Sequence, residues 1–374
     1  MLEKSRFSND IRIRTFENRR HSNIFDYSKF LGEHNYIQFP SDDSVLKYGP
    51  VFTLWLGPLP SVRIADYKLS QEAMVQRGTI YNDRWVPPPM NIGRGNQAGR
   101  TNSTFIVTFF DGRGLIFSNG ALWQEQRRFS LHTLRNLGVS RNLVEERIMD
   151  EFNLRCDEID QLPPNSSIEP TTFFDQLVGG VMNRMLFSVQ PNEDDEKRFF
   201  DLKKKMDDMV ERASVVDLFV KNWVLNVPII NTRWKNMFRP TLELKEFIRE
   251  QIQTRKRAID AGTHVIHSEP RDYVDAFIVK MLEHEKEDVD GNTFDDETLA
   301  VNVLDLWIAG QETTSTSLVW AVLYMLQNPQ ILGNLLLRYS IQPVGTMPSS
   351  NDVLNKFGIM KKSQHFKISL TKIV

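Results

Sequence analysis

Cysteine is almost missing from this chain, with one residue in 374, Cys156. A lone thiol excludes an internal disulfide framework and every metal site built from several cysteines, and it fits a reducing compartment. An excess of charge is missing too. The formal net charge is −2, so the balance offers nothing of the basic surface that nucleic acid requires, and no nucleic-acid partner is expected. The first 44 residues hold no apolar run of the 18 or so residues needed to cross a bilayer, and no signal-peptide core. Within residues 1–25, Lys4, Arg6, Arg12, Arg14, Arg19 and Arg20 face only Glu3, Asp10 and Glu17. Residues 1–44 are therefore expected to form a basic, mobile arm. Acid runs out at the other end, where from Thr313 to Val374 there is no glutamate and Asp352 is the only aspartate. That change in composition sets residues 331–374 apart as a divergent tail. His264 and His267 stand three apart in a polar stretch without a third ligand nearby, so no metal site is expected there.

What the chain has in quantity is apolar residue, 41% against 25% charged, enough for a large core. The stretch from Phe294 to Pro329 is its longest apolar-rich segment. Asp295, Asp296 and Glu297 supply a helix start and Asn328-Pro329 a stop, which predicts one helix from Asp296 to Gln327. At 1.5 Å per residue it would span about 48 Å, so it must cross a whole domain. Its middle reads Ala309-Gly310-Gln311-Glu312-Thr313-Thr314, where a core helix would prefer leucine. Asp305, Ala309 and Thr313 recur at i, i+4 and i+8 with Leu306 and Gly310 beside them, so small residues and a hydroxyl share one face. Such a face can accept a flat ligand, with Glu312 standing next to a helix turn opened by Gly310 and Thr313. It can equally belong to a buried helix whose glycine permits a close crossing and whose threonine bonds back to the preceding turn.

A second cluster lies some 190 residues earlier, in Gly120-Ala121-Leu122-Trp123-Gln124-Glu125-Gln126-Arg127. Trp123 and Arg127 are four apart and share a helix face, offering an indole donor and a guanidinium to a carboxylate. The alternative is that Trp123 is core and Arg127 pairs with Glu125 or Asp111. Between and around these anchors, Val51 to Leu56 and Ser61 to Ala65 read as a hairpin. Helical periodicity marks Lys68 to Arg77, residues 142–160, a stretch through Val181 to Leu186, and Thr241 to Ile259. Gly93-Arg94-Gly95-Asn96-Gln97-Ala98 satisfies a dinucleotide-binding pattern in letters only, since no apolar strand precedes it and no apolar helix follows. The segment Val215 to Phe238, with Trp223, Trp234, Lys221, Arg233 and Lys235, has the amphipathic composition of a membrane-surface segment or of ordinary packed loops.

The A-G-x-E-T-T and W-x-x-x-R motifs, in this order, resemble the cytochrome P-450 family of haem-thiolate monooxygenases, and the flanking IFSNG and RRFSLHTLRNLG resemble its microsomal, drug-metabolising branch. The resemblance covers about residues 45 to 330. It implies a mainly α fold with a small β-region near residues 48–66, and haem as the cofactor, with Trp123 and Arg127 on a haem propionate and Ala309 and Gly310 against the macrocycle. It implies that Thr313 and Glu312 deliver protons, and that Phe110, Asp305 and Leu306 line a pocket for small apolar molecules. An NADPH-dependent flavoprotein reductase would be the partner, the cytosolic face of the endoplasmic reticulum the location, and xenobiotic and organic acid metabolism the context, with 215–238 dipping into lipid. The chain departs from the family pattern in lacking a hydrophobic anchor, and after Gln330 it shows neither E-x-x-R nor the glycine-rich loop that carries the iron-ligand cysteine. Cys156, in a charged helix without such a loop, is a poor substitute. The expected fold is thus an incomplete cytochrome P-450-like one, and activity of the chain as it stands is in doubt, with a catalytically silent, partner-binding role as the competing expectation.

Overall fold

In the computed structural model, the residues described are 42–56, 59–84, 86, 113–138, 142–163, 166–188, 193–212, 227–267, 269–286, 293–328, 339–345, 347 and 366–372. They fall into two compact units, one ending at Asp83 and the other beginning at Arg84. The first contains α1 (Asp42–Tyr48), β1 (Val51–Leu56), β2 (Leu59–Ile64) and α2 (Tyr67–Gln71). β1 and β2 form the expected antiparallel hairpin, with Val51 opposite Ile64 and Leu56 opposite Leu59. Asp66 caps α2 by accepting from the Leu69 amide at 2.9 Å, and the helix widens at Glu72–Gln76 into a π-type turn.

The second unit is mainly helical. In order it contains α3 (Gly120–Asn136), α4 (Asn142–Asp160), β3 (Ser167–Ile168), α5 (Pro170–Phe187), α6 (Glu193–Arg212), α7 (Pro228–Asp260), α8 (Tyr273–Lys286), α9 (Asp296–Gln327), β4 (Tyr339–Val344) and β5 (Lys367–Lys372). α9 is the central helix, with the bounds its start and stop signals predict. Asp295 caps it, its carboxylate accepting from the Thr298 amide at 2.7 Å, and Asn328 ends it. α7 begins thirteen residues before the Thr241 expected from periodicity and continues through Pro240. Proline is well tolerated in a helix's first turn, as Pro228 is here, and the missing bond at Pro240 is offset because Trp234 (3% exposed) and Phe238, in the turns just before it, are buried. Trp234 is thus a core residue, in keeping with ordinary packing, the alternative its segment's composition left open beside a membrane surface. Trp223 and the rest of 215–226 lie outside the described residues.

Two apolar clusters share α9. Its N-terminal half supplies Leu299, Ala300, Val303, Leu304 and Trp307 to a core completed by α6, α7 and α8. Its C-terminal half supplies Val319, Val322 and Leu323, which pack with Phe366 and Ile368. Those last two residues come from the tail that composition sets apart. β5 pairs on one side with β4 and on the other with β3, so the order is β3-β5-β4, and Pro343 sits on the edge strand, where its missing amide costs nothing. Acid content reports on surface chemistry, while Phe366 and Ile368 alternate inward as strand residues should, and it is this alternation that ties the segment to the fold.

Ion pairs bind α7 to the first turn of α9. Lys245 reaches Glu297 at 2.7 Å and Lys256 reaches Asp296 at 2.8 Å, while Arg249 also holds Glu297. Burial alone would raise the Glu297 carboxyl, but the bonds from Lys245 and Arg249 outweigh it and hold the group below its ordinary range.

Glycine sets how closely α5 approaches its neighbours. A methyl at Gly180 would strike the buried carboxyl of Glu151, whereas at Gly310 it would meet only the end of Met182, with Sδ at 2.7 Å. Glu151 cannot yield, being paired with Arg155 at 2.9 Å and Arg184 at 3.1 Å. Gly180→Ala should therefore destabilise the protein by about 1–3 kcal/mol in urea unfolding. Gly310→Ala should cost far less, because Met182 can rotate away and helix propensity improves by about 1 kcal/mol. Equal losses at the two sites would contradict this packing.

Candidate functional site

α9 is wrapped on most sides and open on one. Leu299, Val303, Trp307, Gln311, Ser315, Val319 and Leu323 are buried, while Ala309, Thr313, Ser317, Ala321 and Tyr324 form an exposed line at helical spacing. Thr313 donates to the carbonyl of Ala309 at 2.7 Å, and Ser317 donates to that of Thr313 at 2.7 Å. Both features of the purely structural alternative are thus present, the back-bonding threonine and the glycine at a close crossing. The exposed line is the feature that alternative leaves unexplained. At its far end Trp320 and Tyr324 stack with centroids 5.6 Å apart.

Asp305, one turn before Ala309, continues that line under cover. It is 1% exposed, and its Oδ2 accepts from the amides of Leu115 at 2.6 Å and Ile116 at 2.9 Å. Its carboxylate therefore anchors the backbone leading into α3. Arg113 strengthens the same join, donating to Asp295 and, at 3.0 Å, to the hydroxyl of Thr298. Leu306 is half-buried against the main core. Phe110, like the 93–98 glycine pattern, lies outside the described residues.

Trp123 is tied to the same backbone. Its indole N–H donates to the Leu115 carbonyl at 3.2 Å, so in this arrangement the nitrogen is engaged with the protein. Its ring carries two guanidinium groups, Arg84 at 4.5 Å and Arg127 at 5.2 Å from the centroid. Arg127 is exposed and Arg84 is fixed through Asn119, whose side chain accepts from the Arg84 amide at 2.7 Å and donates to the Arg84 carbonyl at 2.9 Å. Trp123 and Arg127 thus lie on one helix face, with the guanidinium over the indole. Arg84 escaped notice because its partner is 39 residues away.

Glu312 points elsewhere. Its carboxylate lies 3.5 Å from Lys203 Nζ, which also meets Asp175 at 2.6 Å and Asp207 at 2.7 Å. Lys203 is 4% exposed on its side chain. Burial would lower its pKa, but Asp207, Asp175 and Glu312 outweigh burial and push it up, so the ammonium stays charged. A signal for Lys203 was available in the sequence, since it falls on the apolar stripe of Phe199, Leu202 and Met206 within an otherwise charged helix.

Cys156 is 1% exposed on α4, beside Arg155, which is engaged by Glu151, Glu158 and Glu196. His264 contacts Asp275 at 3.0 Å. Among the described residues no group of three histidines, cysteines or carboxylates is placed to hold a metal ion, and no helix is long and apolar enough to cross a membrane.

Comparison with known proteins places these features in context. The family model described as Cytochrome P450 matches residues 29–336. "Probable cytochrome P450 cyp-35D1" of Caenorhabditis elegans is 35% identical over 295 residues, covering 77% of this chain and 55% of that protein. "Cytochrome P450 2H1" of Gallus gallus is 30% identical over 286 residues, covering 76% of this chain and 52% of that protein. "Cytochrome P450 2C5" of Oryctolagus cuniculus is 30% identical over 288 residues, with 76% and 53% covered. The chain spans about half the length of the curated relatives it matches.

The join at Asp305 can be measured directly. Asp305→Ala strands two backbone donors and should cost about 1–3 kcal/mol in stability, with faster amide exchange at residues 115 and 116. Asp305→Asn, which keeps one oxygen acceptor, should lose less. An alanine variant as stable as the parent would remove Asp305 from this role.

Proposed function

From its membership of the cytochrome P450 family, to which the chain belongs, we propose that it forms the oxygen-facing side of a haem monooxygenase-type site that oxidises small apolar molecules. The observation that carries this reading is the exposed line of Ala309, Thr313 and Ser317, with Thr314 beside it, on a helix whose opposite side is buried. An NADPH-dependent flavoprotein reductase at the cytosolic face of the endoplasmic reticulum would supply electrons.

The residues fit haem in part. The small side chains of the line leave room for a flat macrocycle, and Arg127 with Arg84 offers positive charge to its acid side chains, with Trp123 as the shared platform. They do not fit the axial bond. Cys156 is 1% exposed, on a helix and without a glycine-rich approach, so no step is derived through the iron. Bound haem would supply the oxygen-binding metal. What the chain itself contributes is a hydroxyl at Thr313, whose proton goes to the Ala309 carbonyl and whose oxygen can still accept, and a carboxylate at Glu312 that meets Lys203. The buried Cys156 also favours a second reading, a catalytically silent chain that acts by binding partners.

Spectra of the purified chain, loaded with haem, reduced and given carbon monoxide, distinguish these readings. The unaltered chain should show no thiolate-type band and no NADPH-driven turnover with a reductase. Replacing residues 331–374 with the cysteine-bearing C-terminal part of a relative should bring the band into being, and Arg127→Ala should then weaken haem retention by about 1.5–3 kcal/mol, the worth of a charge-assisted hydrogen bond. A replaced chain that still gives no band supports the silent reading. A band from the unaltered chain that Cys156→Ser abolishes would make Cys156 the ligand, and would overturn the silent reading together with the misfit of Cys156.

A further inference from the structure

A hydroxyl in mid-helix commonly bonds to the carbonyl four residues back, and Ser130, Thr254, Thr313 and Ser317 all do so. Thr241, which follows Pro240 in α7, does otherwise. Its hydroxyl donates across to α6, to the sulfur of Met206 at 3.4 Å and to that of Met209 at 3.4 Å. A thioether is a weak acceptor, and here one proton is shared between two of them. Thr241 is 6% exposed, so a buried donor is left with most of its bonding capacity unused. The two sulfurs differ in access. Met206 is 6% exposed and lies in the main core, whereas Met209, three residues on along the same side of α6, is half-buried at its edge.

We propose that Met209 is a site of reversible oxidation by peroxide, and that Thr241 is the donor that receives its sulfoxide. Hydrogen peroxide passes one oxygen to the sulfur. The O–O bond breaks, an S–O bond forms, sulfur gives up two electrons, and the other peroxide oxygen leaves as water. The product replaces an apolar sulfur with a polar S=O, which in a packed join is ordinarily disruptive because a strong acceptor is buried without a partner. At Met209 the partner is already in place. The unbranched methionine side chain has three rotatable bonds, enough to turn the new oxygen toward the waiting hydroxyl. Thr241 then exchanges two weak acceptors for one strong one, and the join between α6 and α7 survives a change that would otherwise loosen it.

The test is peroxide treatment of the purified chain, with sulfoxide located by mass spectrometry of its peptides and stability read by urea unfolding. The chain has 13 methionines, so the change that oxidation causes is compared with the change in Met209→Leu treated alike, which cancels oxidation elsewhere. Met209 should gain its sulfoxide before Met206. Before oxidation Thr241→Val should unfold like the parent, since the hydroxyl it removes had only sulfur to bond. After oxidation it should show about three- to tenfold more unfolded chain than the oxidised parent at the same urea concentration, the factor that one hydrogen bond makes. Thr241→Ser, which keeps the donor, should stay with the parent. Equal losses on oxidation in the parent and in Thr241→Val, or a sulfoxide at Met206 ahead of Met209, would overturn the proposal. If Thr241→Val fails to fold, the parent decides alone. Oxidation should then change its stability no more than it changes that of Met209→Leu, and a larger fall in the parent would overturn the role of Thr241.

Discussion

The structure depends on a helix that must be buried almost everywhere and open along one line. α9 is too apolar to stand in water, and its 32 residues are too many for one neighbour to cover. α5, α7 and α8 divide the task along its length with β4 and β5, and each join has its own chemistry. At the first turn, where helix amides and dipole favour negative charge, Asp296 and Glu297 meet the cations of α7. At Asp305 the join is to backbone amides, at Gly310 it is close packing on Met182, and at Val319 to Leu323 it is apolar contact with Phe366 and Ile368. What remains uncovered is the line through Ala309, Thr313 and Ser317.

Burying so many helices leaves charged groups inside, and three of the buried cations are each answered by more than one carboxylate. Arg155 meets three glutamates, Lys203 three carboxylates, and Arg255 meets Asp272 at 2.8 Å and Asp275 at 2.6 Å. Burial pushes the Asp272 carboxyl up, and Arg255 only partly offsets it. Such clusters add little net stability over apolar packing, yet removing one member strands the others in a medium that solvates them poorly. They therefore fix which helix lies beside which.

Much of this was legible in the sequence where a local rule settles it. The bounds of α9 followed from Asp295 and Asn328-Pro329, and the hairpin from two β-type runs. The back-bond of Thr313 followed from a hydroxyl in mid-helix. Partners far apart in the chain were not legible, because periodicity reports which face is apolar and says nothing about what touches it. Asp305 looked like a pocket residue from its place on the Ala309 face, and its carboxylate turned to the amides of Leu115 and Ile116. Glu312 looked like a neighbour of Thr313, and the helix angle sent it to Lys203. Trp234 looked amphipathic in a segment rich in lysine and arginine, but helix formation from Pro228 put it in the core. The tail looked foreign by its composition, and Phe366, just before β5, with Ile368 within it, packs against α9.

Because the single native cysteine is buried, cysteine substitution along α9 reads the open line against a silent background. With a small thiol reagent, Ala309→Cys, Thr313→Cys and Ser317→Cys should react at least about tenfold faster than Val303→Cys and Leu323→Cys, which must await local opening of the helix packing. Labelling at 309, 313 and 317 no faster than at 303 and 323 would mean that the line is covered, and that α9 reserves no face for a ligand.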